Sequence, residues 1–488
     1  MRRKPKSKIF LLFILIAGIA CGCTIAVISG DITMDGRPII FKNRGIWNWD
    51  IEFKTIVPAD GYTYAANTYI DEDKAWVGVN EKGFGIVQSA VLNISIPGDE
   101  NGSFMTKALK YCVTVEDFAT MVDSSDTAGR STRANYGVMD SLGNIAMFEC
   151  GHGESVRYDP DTSGFIVRAN YAFIGDTTSQ DGEERMQRAI ELLRDAKEID
   201  SITTRYIAKH VMGDLYRNGQ NPHPLPFNGK FGYLDSGFVD TDSSGRRTLS
   251  SYRTTSAAIV RGTKPYENAE LAMMYCYFGA PPVGIPFLLM PKSTITPPLI
   301  TGDSSLMRSV ARETWEKAYH HGDYTLIDTR ALLDEYYNGI WEFSMPRINW
   351  LYDTTEYLYG TWLETPPSEA EITELQDTIV MKTFRTYSSI DEALGVHEIF
   401  PKHGAKSFEL YPNPFNSRIH IDLTKSPELF SKVNIYDISG RILFSKKIRN
   451  SSSIIYWAPS ENQKTGLYFV KLRKADGRST SHRILYIR

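Results

Sequence analysis

The chain has 488 residues, 42% hydrophobic and 12% aromatic, enough for one or more sizeable cores and too apolar for wholesale disorder. With 54 Lys and Arg against 58 Asp and Glu, a net charge of −4 gives a polyanion no electrostatic footing, and nucleic acid is excluded as a partner. Five cysteines in a chain of this length do not make a disulfide scaffold.

The first residues are basic (Arg2, Arg3, Lys4, Lys6, Lys8), and an apolar run from Ile9 to Ala20 follows. A basic head, a short greasy core and small residues after it read as a secretory signal peptide over residues 1–22. The run falls short of the about 20 apolar residues that a membrane-spanning helix needs. Ala20 and Gly22 are small residues at the third and first positions before Cys23, which places the cut between Gly22 and Cys23. A chain starting at Cys23 carries nucleophile and base on one residue, because the α-amine can take the thiol proton. Two other readings of this stretch stay open, a lipid anchor at Cys21 or Cys23 and a disulfide from Cys23. The remaining cysteines, Cys112, Cys150 and Cys276, sit in apolar or mixed contexts and read as small buried hydrophobes.

From Cys23 the sequence "CTIAVISGDITMDGRPIIFKNRG" reads as strand, turn at Met34-Asp35-Gly36, and strand. Residues 75–93, "AWVGVNEKGFGIVQSAVLN", alternate as a hairpin around Asn80-Glu81-Lys82-Gly83, so Asn80 and Glu81 need no role beyond the turn. Residues 134–173 predict two strands joined at Ser141-Leu142-Gly143-Asn144 and then a further strand ending in Val-Arg-Ala-Asn-Tyr. Residues 183–216 carry apolar positions Met186, Ile190 and Leu193 at helical spacing, with a second helix from Ser201. Residues 250–289 hold Arg253-Thr254 ahead of another strand, and residues 300–400 are helical and aromatic-rich. His320 and His321 lack a metal-ligand spacing, so neither a metal nor a cofactor is assigned.

In this order the blocks resemble the N-terminal-nucleophile hydrolases related to penicillin acyltransferases and choloylglycine hydrolases. Cys23-Thr24 opens the hairpin, and Lys42, Asn43 and Arg44 match the motif that closes its second strand. The fourth motif position, an Asp in that family, is Gly45 here. The resemblance implies an α+β fold, a four-layer αββα sandwich over residues 23–400 with a helical C-terminal extension. It also implies a catalytic Cys23, with Asn170 steadying the amine or donating to the oxyanion, and Lys42, Arg44 and Arg253 tuning charge. Gln88, Ser89 and Asn93 lie where the family places a site amide. Local turn bonding for Asn170 and a surface ion pair for Arg253 are the competing structural readings. Two functions are implied: an amidohydrolase or acyltransferase for a linear non-peptide amide or N-acyl small molecule, or a catalytically inactive binding protein on the same scaffold, motivated by Gly45.

From Tyr411 short alternating strands with turns at Ser439-Gly440 and Asp476-Gly477 predict a small β-sandwich over residues 405–488. Tyr411-Pro412-Asn413-Pro414-Phe415-Asn416, Tyr436-Asp437 with Gly440-Arg441, and Gly466 with Tyr468 resemble the C-terminal sorting domains of the type IX secretion pathway, which are immunoglobulin-like. The implied partner is the type IX machinery, and the implied location is secreted or at the surface of a Gram-negative bacterium.

Overall fold

The computed structural model describes residues 22–486 except 95–99, 177, 217–237, 243–246, 303–304, 320–324, 335, 396–407 and, in the tail, 412–414, 425–429, 438–440, 449–453, 461–462, 464–465 and 475–478. The signal-peptide residues up to Cys21, the junction at 400–405, His320 and His321, and the tail turns at Ser439-Gly440 and Asp476-Gly477 lie outside the described residues.

In chain order the first part of the molecule runs β1 (Thr24–Ile28), β2 (Ile39–Gly45), β3 (Ile51–Ile56), β4 (Tyr64–Tyr69), β5 (Val77–Asn80), β6 (Gly85–Ala90), α1 (Asn101–Tyr111) and α2 (Val115–Ala128). It continues with β7 (Ala134–Met139), β8 (Ile145–Cys150), β9 (Ser155–Tyr158), β10 (Phe165–Arg168), α3 (Glu183–Glu198) and α4 (Thr204–Tyr206). Next come β11 (Phe238–Asp240), β12 (Thr254–Arg261), β13 (Met273–Phe278), β14 (Phe287–Leu289), α5 (Leu306–Ala318), β15 (Leu326–Asp328), α6 (Thr329–Leu332), α7 (Ile340–Glu364) and α8 (Glu369–Gly395).

Two antiparallel sheets stack face to face. One has the order β10-β1-β2-β12-β13-β14, so β1 is an interior strand paired on both sides; the other is a meander from β3 to β9. Strands β1 and β2 are buried along their whole length, which is why residues 25–28 and 39–41 run apolar instead of alternating, while Lys42, Asn43 and Arg44 are buried polar positions at the end of β2. Close approach of the sheets needs a residue without a side chain at 137, where a Cβ would stand 2.7 Å from Val27 Cγ1. Phe53 of the meander packs edge-on against Phe278 and Phe287 of the other sheet, with ring centroids 5.2 and 5.4 Å apart. Burying such a ring is worth about 1.5–3 kcal/mol.

Helices close both outer faces. Met105, Leu109, Phe118 and Val122 of α1 and α2 bury against Tyr64, Phe84, Tyr136 and Phe148 of the meander. A capping box between Thr114 and Asp117 starts α2. Over the other sheet, α7 is bound through Tyr352 Oη to Tyr277 Oη and Thr355 Oγ1 to Tyr275 Oη, both at 3.0 Å. The α8 residues Gln376 and Tyr387 accept from the backbone N–H groups of Met290 and Ile285. This is the four-layer αββα sandwich that the sequence implies.

Asp391–Arg488 form a second compact unit. A three-stranded sheet (residues 409–411, 419–422, 454–457) and a four-stranded one (430–437, 442–447, 466–474, 479–486) enclose Phe415, Ile421, Val433, Trp457, Val470 and Ile484. The tail is a small β-sandwich with its own core.

Candidate active site

Cys23 stands just ahead of β1 and is 4% exposed. Strand pairing tells where its side chain faces. Ile25 is opposite Lys42 and Val27 opposite Ile40, and Val27 lies against Gly137 of the other sheet. Alternation then turns Cys23, with Lys42 and Arg44, into the space between the sheets. Lys42 Nζ donates to Trp76 O at 2.9 Å. Arg44 Nη1 donates to Asn67 Oδ1 at 2.9 Å, its guanidinium 4.4 Å from the Tyr69 ring and 4.8 Å from that of Trp76. Asn43 points to the opposite face, where Nδ2 donates to Met212 O and Leu249 O, each at 2.9 Å.

Asn170 is the side chain that meets the start of β1. Cys23 N donates to Asn170 Oδ1 at 2.9 Å, and Asn170 Nδ2 donates to Ala90 O at 2.9 Å. With donors on one side and a carbonyl on the other, the amide has one consistent orientation. Its NH2 group is engaged by Ala90 O and its oxygen faces the nitrogen of Cys23. The segment is tied down by Ser89 Oγ donating to Ala169 O at 2.5 Å and by Asn135 Nδ2 donating to Tyr171 O at 3.0 Å. Asn93 and Ala172 hold each other through two bonds, at 2.8 and 2.9 Å. Gln88 is buried on the same strand as Ser89.

Arg185 is the residue that sequence reasoning missed. It is fully buried on α3 and donates to Cys23 O, to Thr24 Oγ1 at 3.1 Å and to Asn170 Oδ1 at 3.0 Å. Burial pushes its guanidinium down from the usual value, while Asp181 and Glu184 oppose that shift. The sequence did hold a signal: Arg185, Ala189, Leu193 and Ala196 share the buried stripe of α3, so a charge sits among apolar positions. Next to it, burial pushes the Asp181 carboxyl up, and its Oδ2 has no hydrogen-bond partner.

Arg253 reaches this region through others. Its Nε donates to Asp242 Oδ2 at 2.7 Å, Arg247 Nε donates to Asp242 Oδ1 at 2.8 Å, and Arg247 continues toward Asp181 at 3.8 Å. Asp50, close to Gly45 in sequence, is exposed. The other three described cysteines are free and buried. Burial pushes Cys112 and Cys150 up to about 12 and Cys276 well above its usual value, so all three are protonated and inert near neutrality. Among the described residues no cluster of three or more His, Cys, Asp or Glu could hold a metal ion, and no helix is long and apolar enough to cross a membrane.

Residues 409–487 match the family described as secretion system C-terminal sorting domain. No curated protein matches the chain. Among solved structures it is similar to a mutant form of conjugated bile acid hydrolase from Clostridium perfringens, at 12% identity over 52% of this chain and 89% of that one, with a TM-score of 0.35. It is similar to penicillin V acylase from Agrobacterium tumefaciens at 11% identity, 55% and 86% coverage and a TM-score of 0.33. The Caenorhabditis elegans ortholog of N-acylethanolamine-hydrolyzing acid amidase is similar at 14% identity, 37% and 86% coverage and a TM-score of 0.30. The chain therefore joins a four-layer αββα body, in which Cys23 opens a buried interior strand, to a tail that matches a sorting domain.

Proposed function

We propose that the exported chain begins at Cys23 and is an amidohydrolase or acyltransferase for a linear non-peptide amide or N-acyl small molecule. One observation carries the reading: the nitrogen of Cys23 is held at 2.9 Å by an Asn170 oxygen that a fully buried Arg185 also holds. An ordinary strand start needs no such support. Once residues 1–22 are removed, that nitrogen becomes the α-amine. It takes the thiol proton, and Sγ attacks the substrate carbonyl. The tetrahedral oxyanion, held by backbone N–H groups, collapses with cleavage of the C–N bond. The ammonium of Cys23 returns its proton to the departing amine, leaving a thioester on Sγ. Water or a second amine then takes the acyl group. Lys42 and Arg44 supply positive charge on the face that Cys23 shares. Asn43 anchors β2 from behind, and Arg253 acts through Asp242 and Arg247.

Export follows from the two ends of the chain. The signal peptide carries it across the inner membrane of a Gram-negative cell. The sorting tail marks it as secreted or cell-surface and hands it to the type IX machinery. The competing reading, a non-catalytic binding protein, rests on Gly45, which carries no carboxylate. Intact mass and N-terminal sequencing of the exported protein should give Cys23 as the first residue. A start at any other residue, or a lipid on the cysteine, would remove the base and overturn the proposal.

A further inference from the structure

The residue before Cys23 has a place of its own. Gly22 is buried, and its N–H donates to Gly45 O at 2.9 Å. A Cβ on residue 45 would stand 2.5 Å from Gly22 O and 2.6 Å from its carbonyl carbon and Cα, and these are the nearest atoms it would meet. On the other side, a Cβ on Gly22 would stand 3.3 Å from Arg247 Cδ and 3.8 Å from Arg247 Nη1. Residue 22 thus fills a slot one glycine wide. Its walls are independent of the leader: Gly45 ends β2 and pairs with Thr254, and Arg247 is bound to Asp242 and, through its backbone N–H, to Glu184.

Removal of residues 1–22 empties this slot, and the chemistry of the amine dictates what enters it. To return a proton, the amino group of Cys23 needs the departing nitrogen about 3 Å away. One direction around that amino group is taken by Asn170 Oδ1 and one by its own Cα. The direction set free is the one that the Gly22 carbonyl carbon occupied. We propose that the seat of Gly22 is the leaving-group subsite of the mature enzyme. Gly45 keeps it open, and it takes amides of unbranched primary amines, R–CO–NH–CH2–R′. Gly45 is then an enlargement of the site, which a side chain would fill. The inference rests on Cys23 being the nucleophile.

The test uses the chain from Cys23 to Arg488, expressed with a single Met ahead of Cys23 that is trimmed in the cell, its start checked by intact mass. Phenylacetyl and octanoyl amides are each offered with three leaving groups: ammonia, ethylamine and isopropylamine. Wild type should cleave the N-ethyl amide at least about tenfold faster in kcat/KM than the N-isopropyl amide. Gly45→Ala should lose about tenfold or more on the N-ethyl amide and clearly less on the primary amide, whose departing nitrogen enters the slot without a carbon substituent. Equal wild-type rates on ethyl and isopropyl amides would overturn the subsite, and so would a Gly45→Ala variant that treats primary and N-ethyl amides alike. Turnover that survives in Cys23→Ser, or no turnover of any amide by wild type, overturns the nucleophile reading and the subsite with it.

Discussion

Cys23→Ser should abolish covalent labelling by an amide-directed electrophile and cut amide turnover by about 10³-fold or more, as loss of a nucleophile does elsewhere. A serine hydroxyl is a far weaker acid and a weaker nucleophile than a thiol, so the same amine activates it much less in a site shaped for sulfur. Cys112→Ala, Cys150→Ala and Cys276→Ala should leave labelling unchanged, because these thiols are buried and held protonated. A chain that keeps Gly22 attached should also stay unlabelled although the sulfur is present, since an amide nitrogen cannot act as the base. Mass spectrometry of the labelled protein reads all three results. If wild type, Cys23→Ser and the Gly22-retaining chain label alike, the molecule is a binding protein on this scaffold.

Arg185→Met should lower kcat by about 10²-fold, the order of effect seen when one aligned polar group is lost from an active site. The side chain is fully buried and bonds Cys23 O, Thr24 Oγ1 and Asn170 Oδ1, so its removal leaves three buried acceptors short of a donor. A merely structural role predicts the same loss of stability, and the pH profile separates the two. A guanidinium beside an amine favours the neutral amine, the form that accepts the thiol proton. Without it the amine stays protonated to higher pH, and the acidic limb of kcat/KM should move up by about one pH unit. Arg185→Lys keeps the charge and should leave the limb where it is. A limb that does not move in Arg185→Met assigns the residue to packing alone.

The strands that carry the site residues were legible in the sequence because they depend on short-range pattern, whereas the grouping of Cys23, Lys42, Asn43, Arg44 and Asn170 came from the resemblance. The Cys23 strand, the hairpin strand that carries Lys42, Asn43 and Arg44, and the strand ahead of Asn170 follow from runs of a few residues between turn signals. What pattern could not supply was direction. Whether Asn170 offers its oxygen or its nitrogen is decided by Arg185 and Ala90, 15 and 80 residues away. Arg253 and Arg247 meet through Asp242, a contact made by the path of a loop and not by a repeat. Gly45 reads in sequence as a missing carboxylate. Only the close approach of Gly22, inside the body of the fold, gives the bare backbone there a steric reason.

The two sheets draw on the chain very differently, and this sets an order of assembly. The meander from β3 to β9 pairs every strand with its sequence neighbour, so it can close on contacts within residues 51–158 alone. The sheet holding β1 needs β10 on one side of it, and β12, more than 200 residues from Thr24, to flank β2. Loop closure over such spans comes late, so the β1–β2 hairpin that Cys23 precedes waits without its flanking strands β10 and β12 while the meander forms. Pulse-labelled hydrogen exchange during refolding should therefore protect the amides of β4 to β8 before those of β1 and β2. Simultaneous protection of the two sheets would show that the body folds as one unit. On the staged route Cys23 spends the folding interval exposed, and an oxidant or protease present during that interval can reach a thiol that the finished fold buries to 4%.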